Sequence, residues 1–238
     1  MQKTNFPGPG RLSAFGFAIG NKGYVGTGWT GSLVYDDCWE YDPATNAWTQ
    51  KANYAGGPMY FGMGFAIGNK GYAGIGYTGT NDFWEYDPVT NGWVQKASLP
   101  GTSRSTTGAF VINGKGYVAT GYDGTSLQDL WQYDPSSNSW TAKAFFPPSG
   151  RNDIDRLPFV INNKAYLGMG LPNSTNDIWE YDAITDVWTQ KANFPSTGRF
   201  GATGFSVCNY GYAGMGQAGS AQSDFYMYDP RATQQELQ

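Results

Sequence analysis

The phrase Asp37–Pro43 reads D-C-W-E-Y-D-P, Trp48 follows five residues later, and the chain writes this phrase five times. It returns as D-F-W-E-Y-D-P at 82–88 with Trp93, and as D-L-W-Q-Y-D-P at 129–135 with Trp140. It returns again as D-I-W-E-Y-D-A at 177–183 with Trp188, and last as D-F-Y-M-Y-D-P at 224–230. The tyrosines Tyr41, Tyr86, Tyr133, Tyr181 and Tyr228 are therefore spaced by 45, 47, 48 and 47 residues. A period of that size belongs to repeat architectures, in which each unit buries its apolar face against its neighbours. With 238 residues and no linker between copies, a single domain is expected.

Within each copy the pattern predicts four short strands, a to d. Strand a is a glycine-bearing apolar run such as Phe15 to Ile19, and it ends in a tight turn. The turns read G-N-K-G at 20–23 and 68–71, N-G-K-G at 113–116, N-N-K-A at 162–165 and C-N-Y-G at 208–211. Gly and Asn tolerate the positive φ of two-residue hairpin turns, so each reads as an a–b hairpin. Strand b is Y-x-G/A-x-G, as in Tyr24 to Gly28 or Tyr166 to Gly170, and its glycines suggest close approach of a neighbouring sheet. Strand c is the W-E-Y-D phrase with its period of two, and strand d carries the second Trp and a Gln-Lys-Ala tail.

A tyrosine, a glycine-rich strand end, an Asp-x-Trp-x-Tyr-Asp-Pro strand and a further Trp resemble the kelch repeat. The resemblance covers the whole chain, with one departure: the paired glycines after strand b are split here, as in Gly26/Gly28 and Gly74/Gly76. It implies an all-β, five-bladed β-propeller with four antiparallel strands per blade. The copies fall at about 11–53, 59–98, 104–145, 151–193 and 199–230. The fifth lacks the Trp of strand d, while M-Q-K-T-N-F-P at 1–7 matches T-Q-K-A-N-F-P at 189–195 in five of seven positions. Residues 1–6 are thus expected to complete the last blade as its outer strand, close the ring and remove an open edge.

A net charge of −4 and a pI near 4.7 leave no basic footprint for nucleic acid. No apolar run approaches the ~18 residues of a membrane helix. Residues 1–7 lack the apolar stretch of a secretion signal, which suits a cytosolic chain or a trimmed exported one. Cys38 occupies a slot filled elsewhere by Phe83, Leu130, Ile178 and Phe225, and Cys208 a turn slot, so no disulfide is expected.

Every lysine and ten of the aspartates recur at fixed repeat positions, which points to framework roles. Arg11, Arg104, Arg151 and Arg199 precede strand a in four copies, with Met59 in the second. In the propeller that the resemblance implies, they would gather near one mouth of the channel. They read either as framework or as a site that grips carboxylate or phosphate. On the same face lie Trp29, Tyr35, Tyr77 and Tyr122, with Tyr60 beside Met59, rings suited to sugars or protein side chains. The fourth copy reads R-N-D-I-D-R at 151–156, an apparent two-residue insertion, so Asp153, Asp155 and Arg156 are further candidates.

The chain has no histidine, which removes Ser-His and Cys-His triads and any copper site of the galactose-oxidase kind that kelch-like blades can carry. No cofactor or metal is implied. The expected role is a monomeric, non-catalytic scaffold whose Arg- and aromatic-lined face takes a protein segment or a small anionic ligand. The alternatives are a lectin-like carbohydrate binder resting on Trp29, Tyr77 and Tyr122, and a glycan-active enzyme pairing Asp153 with Asp155.

Overall fold

A computed structural model describes residues 1–77, 79–147, 149–154 and 157–231, and its regular elements are all strands. The chain forms two compact units, Met1–Ser105 with Asp134–Trp140, and Thr106–Tyr133 with Thr141–Gln238. The first sheet holds β1 (Phe15–Ile19), β2 (Lys22–Trp29), β3 (Val34–Asp42) and β4 (Ala47–Lys51) in sequential antiparallel order. The second repeats it with β5 (Met63–Ile67), β6 (Lys70–Gly74), β7 (Phe83–Asp87) and β8 (Gly92–Gln95). The third has β9 (Gly108–Ile112), β10 (Lys115–Ala119), β11 (Leu130–Asp134) and β12 (Ser139–Lys143). The fourth has β13 (Phe159–Ile161), β14 (Lys164–Gly168), β15 (Ile178–Asp182) and β16 (Val187–Gln190).

The fifth sheet differs. It orders β17 (Thr203–Val207), β18 (Tyr210–Gly214) and β21 (Phe225–Tyr228), with a two-stranded flap of β19 (Gln217–Ala218) and β20 (Ser220–Ala221) between. Among the described residues it has no fourth strand, and residues 1–6 lie in no assigned strand. The polar groups of Thr4 bond to the first sheet as those of Ala52, Ala97 and Ala144, each just past a strand d, bond to the sheet that follows them. Its N–H donates to Asn46 Oδ1 at 3.1 Å, its hydroxyl to Asn46 O at 2.6 Å, and its carbonyl accepts from Trp48 Nε1 at 3.2 Å.

Each a–b turn has two residues, and its first residue is left-handed: Gly20, Gly68, Asn113, Asn162 and Cys208 all have φ between 50° and 58°. Glycine and asparagine adopt that region readily, which is why the slot selects them. The strand-b glycines have two causes, since a Cβ at Gly71 or Gly211 would meet Phe17 or Phe159 of the neighbouring sheet at 2.3 or 2.2 Å, and others are closed off within their own sheet. A Cβ at Gly168 would lie 1.9 Å from the carbonyl of Asp177 in the same sheet.

Sheets pack by one rule. In the first unit Phe15 of the first sheet stands edge-on to Tyr54 and Trp93, at 5.9 and 6.0 Å. In the second unit Phe110, Tyr117 and Leu130 pack on Ala165, Leu167 and Tyr181, and Phe159 and Tyr166 pack on Tyr228. Tyr86, Tyr133 and Tyr181 are wholly buried, so the repeated Tyr of strand c is a core residue in the middle three copies, while Tyr41 and Tyr228 are half-buried. Burial of such a ring removes some 150–250 Å² from water.

Candidate functional site

The arginine slots turn inward. Arg11, with 4% of its side chain exposed, grips Asp37 with both terminal nitrogens and donates to Thr27 O at 3.0 Å. Arg199, with no exposed surface, grips Asp224 in the same way and donates to Met215 O at 2.9 Å and Ser196 Oγ at 2.8 Å. Arg151 reaches Asp177 Oδ2 at 3.3 Å, and Arg104 is buried with Nε on Thr102 O at 3.3 Å. The aspartates are those that precede strand c. They also accept from the indole of the Trp two residues on, Trp39 at 2.9 Å, Trp131 at 2.7 Å and Trp179 at 2.8 Å. The Arg199 hydrogen bonds hold the Asp224 carboxyl down to about 2. The guanidinium groups of Arg11, Arg151 and Arg199 tie loop to strand inside their copies, although Arg151 Nε is buried without an acceptor among the described residues.

The second copy confirms the logic by omission. Met59, 1% exposed, fills the arginine slot, Asp82 accepts from Gln95 instead, and Trp84 Nε1 is buried with no acceptor among the described residues.

Asp153 falls on a repeated turn position after all. Ser13, Phe61, Thr106, Asp153 and Gly201 each lie two residues beyond the Arg slot with φ between 54° and 60°. The Asp153 carbonyl accepts from Gly201 N–H at 3.0 Å, as the Ser13 carbonyl accepts from Phe61 N–H at 3.1 Å. Asp155 and Arg156 lie outside the described residues.

The aromatic candidates divide between the units. Tyr122, in the second, is 46% exposed and bridges to Ser126. Tyr35, in the first, lies under the Arg11 guanidinium at 4.3 Å. Trp29, Tyr60 and Tyr77 are brought together there as a run of tilted rings, Trp29 to Tyr60 at 5.7 Å and Tyr60 to Tyr77 at 5.0 Å. Phe61 adjoins Tyr60 at 5.2 Å. Backbone bonds fix the run, with Tyr77 N–H on Tyr60 O at 2.8 Å and Gly28 N–H on Met59 O at 2.7 Å.

Two exposed aliphatic residues that sequence reasoning missed lie on the adjoining loops. Leu12, 66% exposed, exchanges both backbone bonds with Trp29, and Leu33, 60% exposed, closes the turn after it through Thr30. Tyr77 is 63% exposed. The available signal was a large apolar residue in a loop slot with no core-facing period.

Charge is handled elsewhere by a second network. Glu180 accepts from Tyr166 at 2.5 Å and Lys164 at 2.9 Å, with Lys191 at 3.2 Å, and Glu40 repeats the arrangement with Tyr24, Lys22 and Lys51. Burial works to raise the Glu180 carboxyl, but these donors outweigh it and hold it below the ordinary value.

Residues 103–144 match the kelch motif model. No curated protein matches the sequence. Among solved structures, the "Structure of YjhT" superposes with a TM-score of 0.74 over 91% of this chain and 75% of that one, at 22% identity. At that identity the likeness carries the fold alone. The segment that matches the motif is the third of five copies of one phrase, and the fold is shared over nearly the whole length, so this chain carries a kelch motif and has the β-propeller fold.

Proposed function

We propose that the chain is a non-catalytic binding module whose Trp29–Tyr60–Tyr77 surface, with Leu12 and Leu33 on the adjoining loops, takes an extended segment of a partner protein. One observation carries the reading: three contiguous rings and two exposed leucines on adjoining loops held by backbone hydrogen bonds. Rigid aromatic anchors beside aliphatic surface are the usual energetic centre of protein interfaces. The internal pairing of the arginines favours an apolar ligand over an anionic one. The absence of histidine and the turn role of Asp153 support the non-catalytic part of the reading. A random peptide library selected on the intact protein tests it. Selected peptides should bind about tenfold or more weakly to Tyr77→Ala, a surface change that leaves the fold intact. Peptides that bind Tyr77→Ala and Leu33→Ala as tightly as the parent would refute the assignment. A glycan whose binding alone depends on Tyr77 would transfer the surface to the sugar reading.

A further inference from the structure

The protein spends its tryptophan N–H groups on itself, with one exception at the surface. Of nine tryptophans, Trp39, Trp131 and Trp179 donate to the aspartate two residues before them. Trp48, Trp93, Trp140 and Trp188 donate to backbone carbonyls, and Trp84 Nε1 is buried. That leaves Trp29, half-buried, whose indole N–H is neither buried nor bonded among the described residues. The framework tyrosines behave like the framework tryptophans. Tyr24, Tyr72 and Tyr166 give their hydroxyls to glutamates, and Tyr41, Tyr86 and Tyr181 give theirs to Asn or Asp. Tyr60 and Tyr77, the two rings that continue the run from Trp29, give theirs to no described residue.

The backbone around these rings is already paired. Leu12 and Trp29 exchange both of their bonds, Gly28 N–H donates to Met59 O, Phe61 N–H to Ser13 O at 3.1 Å, and Tyr77 N–H to Tyr60 O. Those groups are closed to a segment that adds as a strand. Charge is missing too. Residues 23–35, 53–69 and 71–81 contain no Asp, Glu, Lys or Arg, and the Arg11 guanidinium is held by Asp37. The rings are inclined to one another by 32° and 47°, a ridged surface and not the flat platform on which a sugar face stacks.

We propose that the segment taken by the Trp29–Tyr60–Tyr77 surface is uncharged and proline-rich, in the polyproline II conformation. This rests on the reading of that surface as a peptide site and gives the peptide its chemistry. A polyproline II chain makes no internal hydrogen bonds, so its carbonyls are open acceptors and it needs no strand edge. Trp29 N–H and the Tyr60 and Tyr77 hydroxyls, donors without a described acceptor, are the complement of that backbone. Pyrrolidine rings pack on the aromatic ridge, the general mode by which aromatic-lined grooves take proline-rich segments. A helix would bring carbonyls already paired along its own axis and leave the three donors unused. An acidic or basic segment would find no counter-charge in these loops. The fixed φ of proline also lowers the ordering cost of binding.

Acetylated and amidated decaproline, titrated into the intact protein by calorimetry, tests the inference. Saturable one-to-one binding is expected, weakened on the order of tenfold by Tyr77→Ala. Tyr77→Phe and Trp29→Phe, which keep a ring and remove the donor, should each weaken it about threefold. No binding of decaproline, or binding that ignores Tyr77→Ala, would overturn the inference. Equal binding by the parent and both phenylalanine variants would overturn it too, because the donors would then read no carbonyl. The reading beneath it fails separately, when library-selected peptides also ignore Tyr77. Selected peptides that need Tyr77 but contain no proline would overturn the inference and leave the peptide site standing. Tyr77-dependent binding of a cello-oligosaccharide alone would overturn both.

Discussion

Arg199 is fully buried and holds Asp224 through both of its terminal nitrogens, 25 residues along the chain. Arg11 holds Asp37 in the same two-handed way, and Arg151 reaches Asp177 with one terminal nitrogen, each across 26 residues. What looks like a ring of cationic side chains awaiting a ligand is a set of internal clamps, each fastening the loop before strand a to the start of strand c.

Removal of one partner from a buried, hydrogen-bonded ion pair leaves the other uncompensated. Asp224→Asn and Asp177→Asn should therefore lower Tm by several degrees. Asp82→Asn should change it little, because Met59 offers no guanidinium there. Thermal unfolding by circular dichroism measures the series, and equal losses at all three positions would contradict the clamp.

Acid should loosen the same contacts. Asp224 and Glu180 have carboxyl groups held below their ordinary values, by Arg199 in one case and by Tyr166, Lys164 and Lys191 against burial in the other. A carboxylate depressed in the folded state contributes stability that is complete above its unfolded pKa and is lost as pH falls through its folded one. Tm should thus be level near neutrality and fall from about pH 4 toward pH 2. Asp224→Asn should flatten the acid limb in proportion to its share. A Tm that rises on acidification over that range would be inconsistent with both groups.

Phe6 ties the first residues down. It meets Trp39 and Trp48 edge-on, and the Arg11 guanidinium lies 5.0 Å from its ring centre. Phe6→Ala should lower Tm and shift tryptophan emission to the red as those two indoles gain water. Unchanged emission would mean that residues 1–7 do not hold this position in solution.

Much of the fold is written openly because its determinants repeat. The left-handed slot at Gly20, Gly68 and Asn113 is visible from residue type, and even Cys208 is placed by register alone. The pairing of Arg with Asp was less visible, since each repeats separately and only their constant offset hints that they meet. Asp153 looked exceptional because its slot is filled by Ser13, Phe61, Thr106 and Gly201 in the other copies. A backbone conformation unites those residues, and no side-chain chemistry does. Leu12 and Leu33 follow no period, so the joining of Leu12 to Trp29 and of Leu33 to Thr30 emerges only from the loops that carry them. The missing Trp of the fifth copy was plain, and so was the match of residues 1–7 to 189–195, which sets Thr4 in the register of Ala52 against Asn46 and Trp48.

The claim that binding resides in exposed rings and not in arginines is tested most directly by one affinity measurement. A library-selected peptide is titrated into the parent protein and Tyr77→Ala at about 50 and 500 mM salt, which spans strong to weak screening. The account predicts an affinity nearly independent of salt and reduced about tenfold by the substitution. An affinity that collapses at high salt and ignores Tyr77 would contradict it.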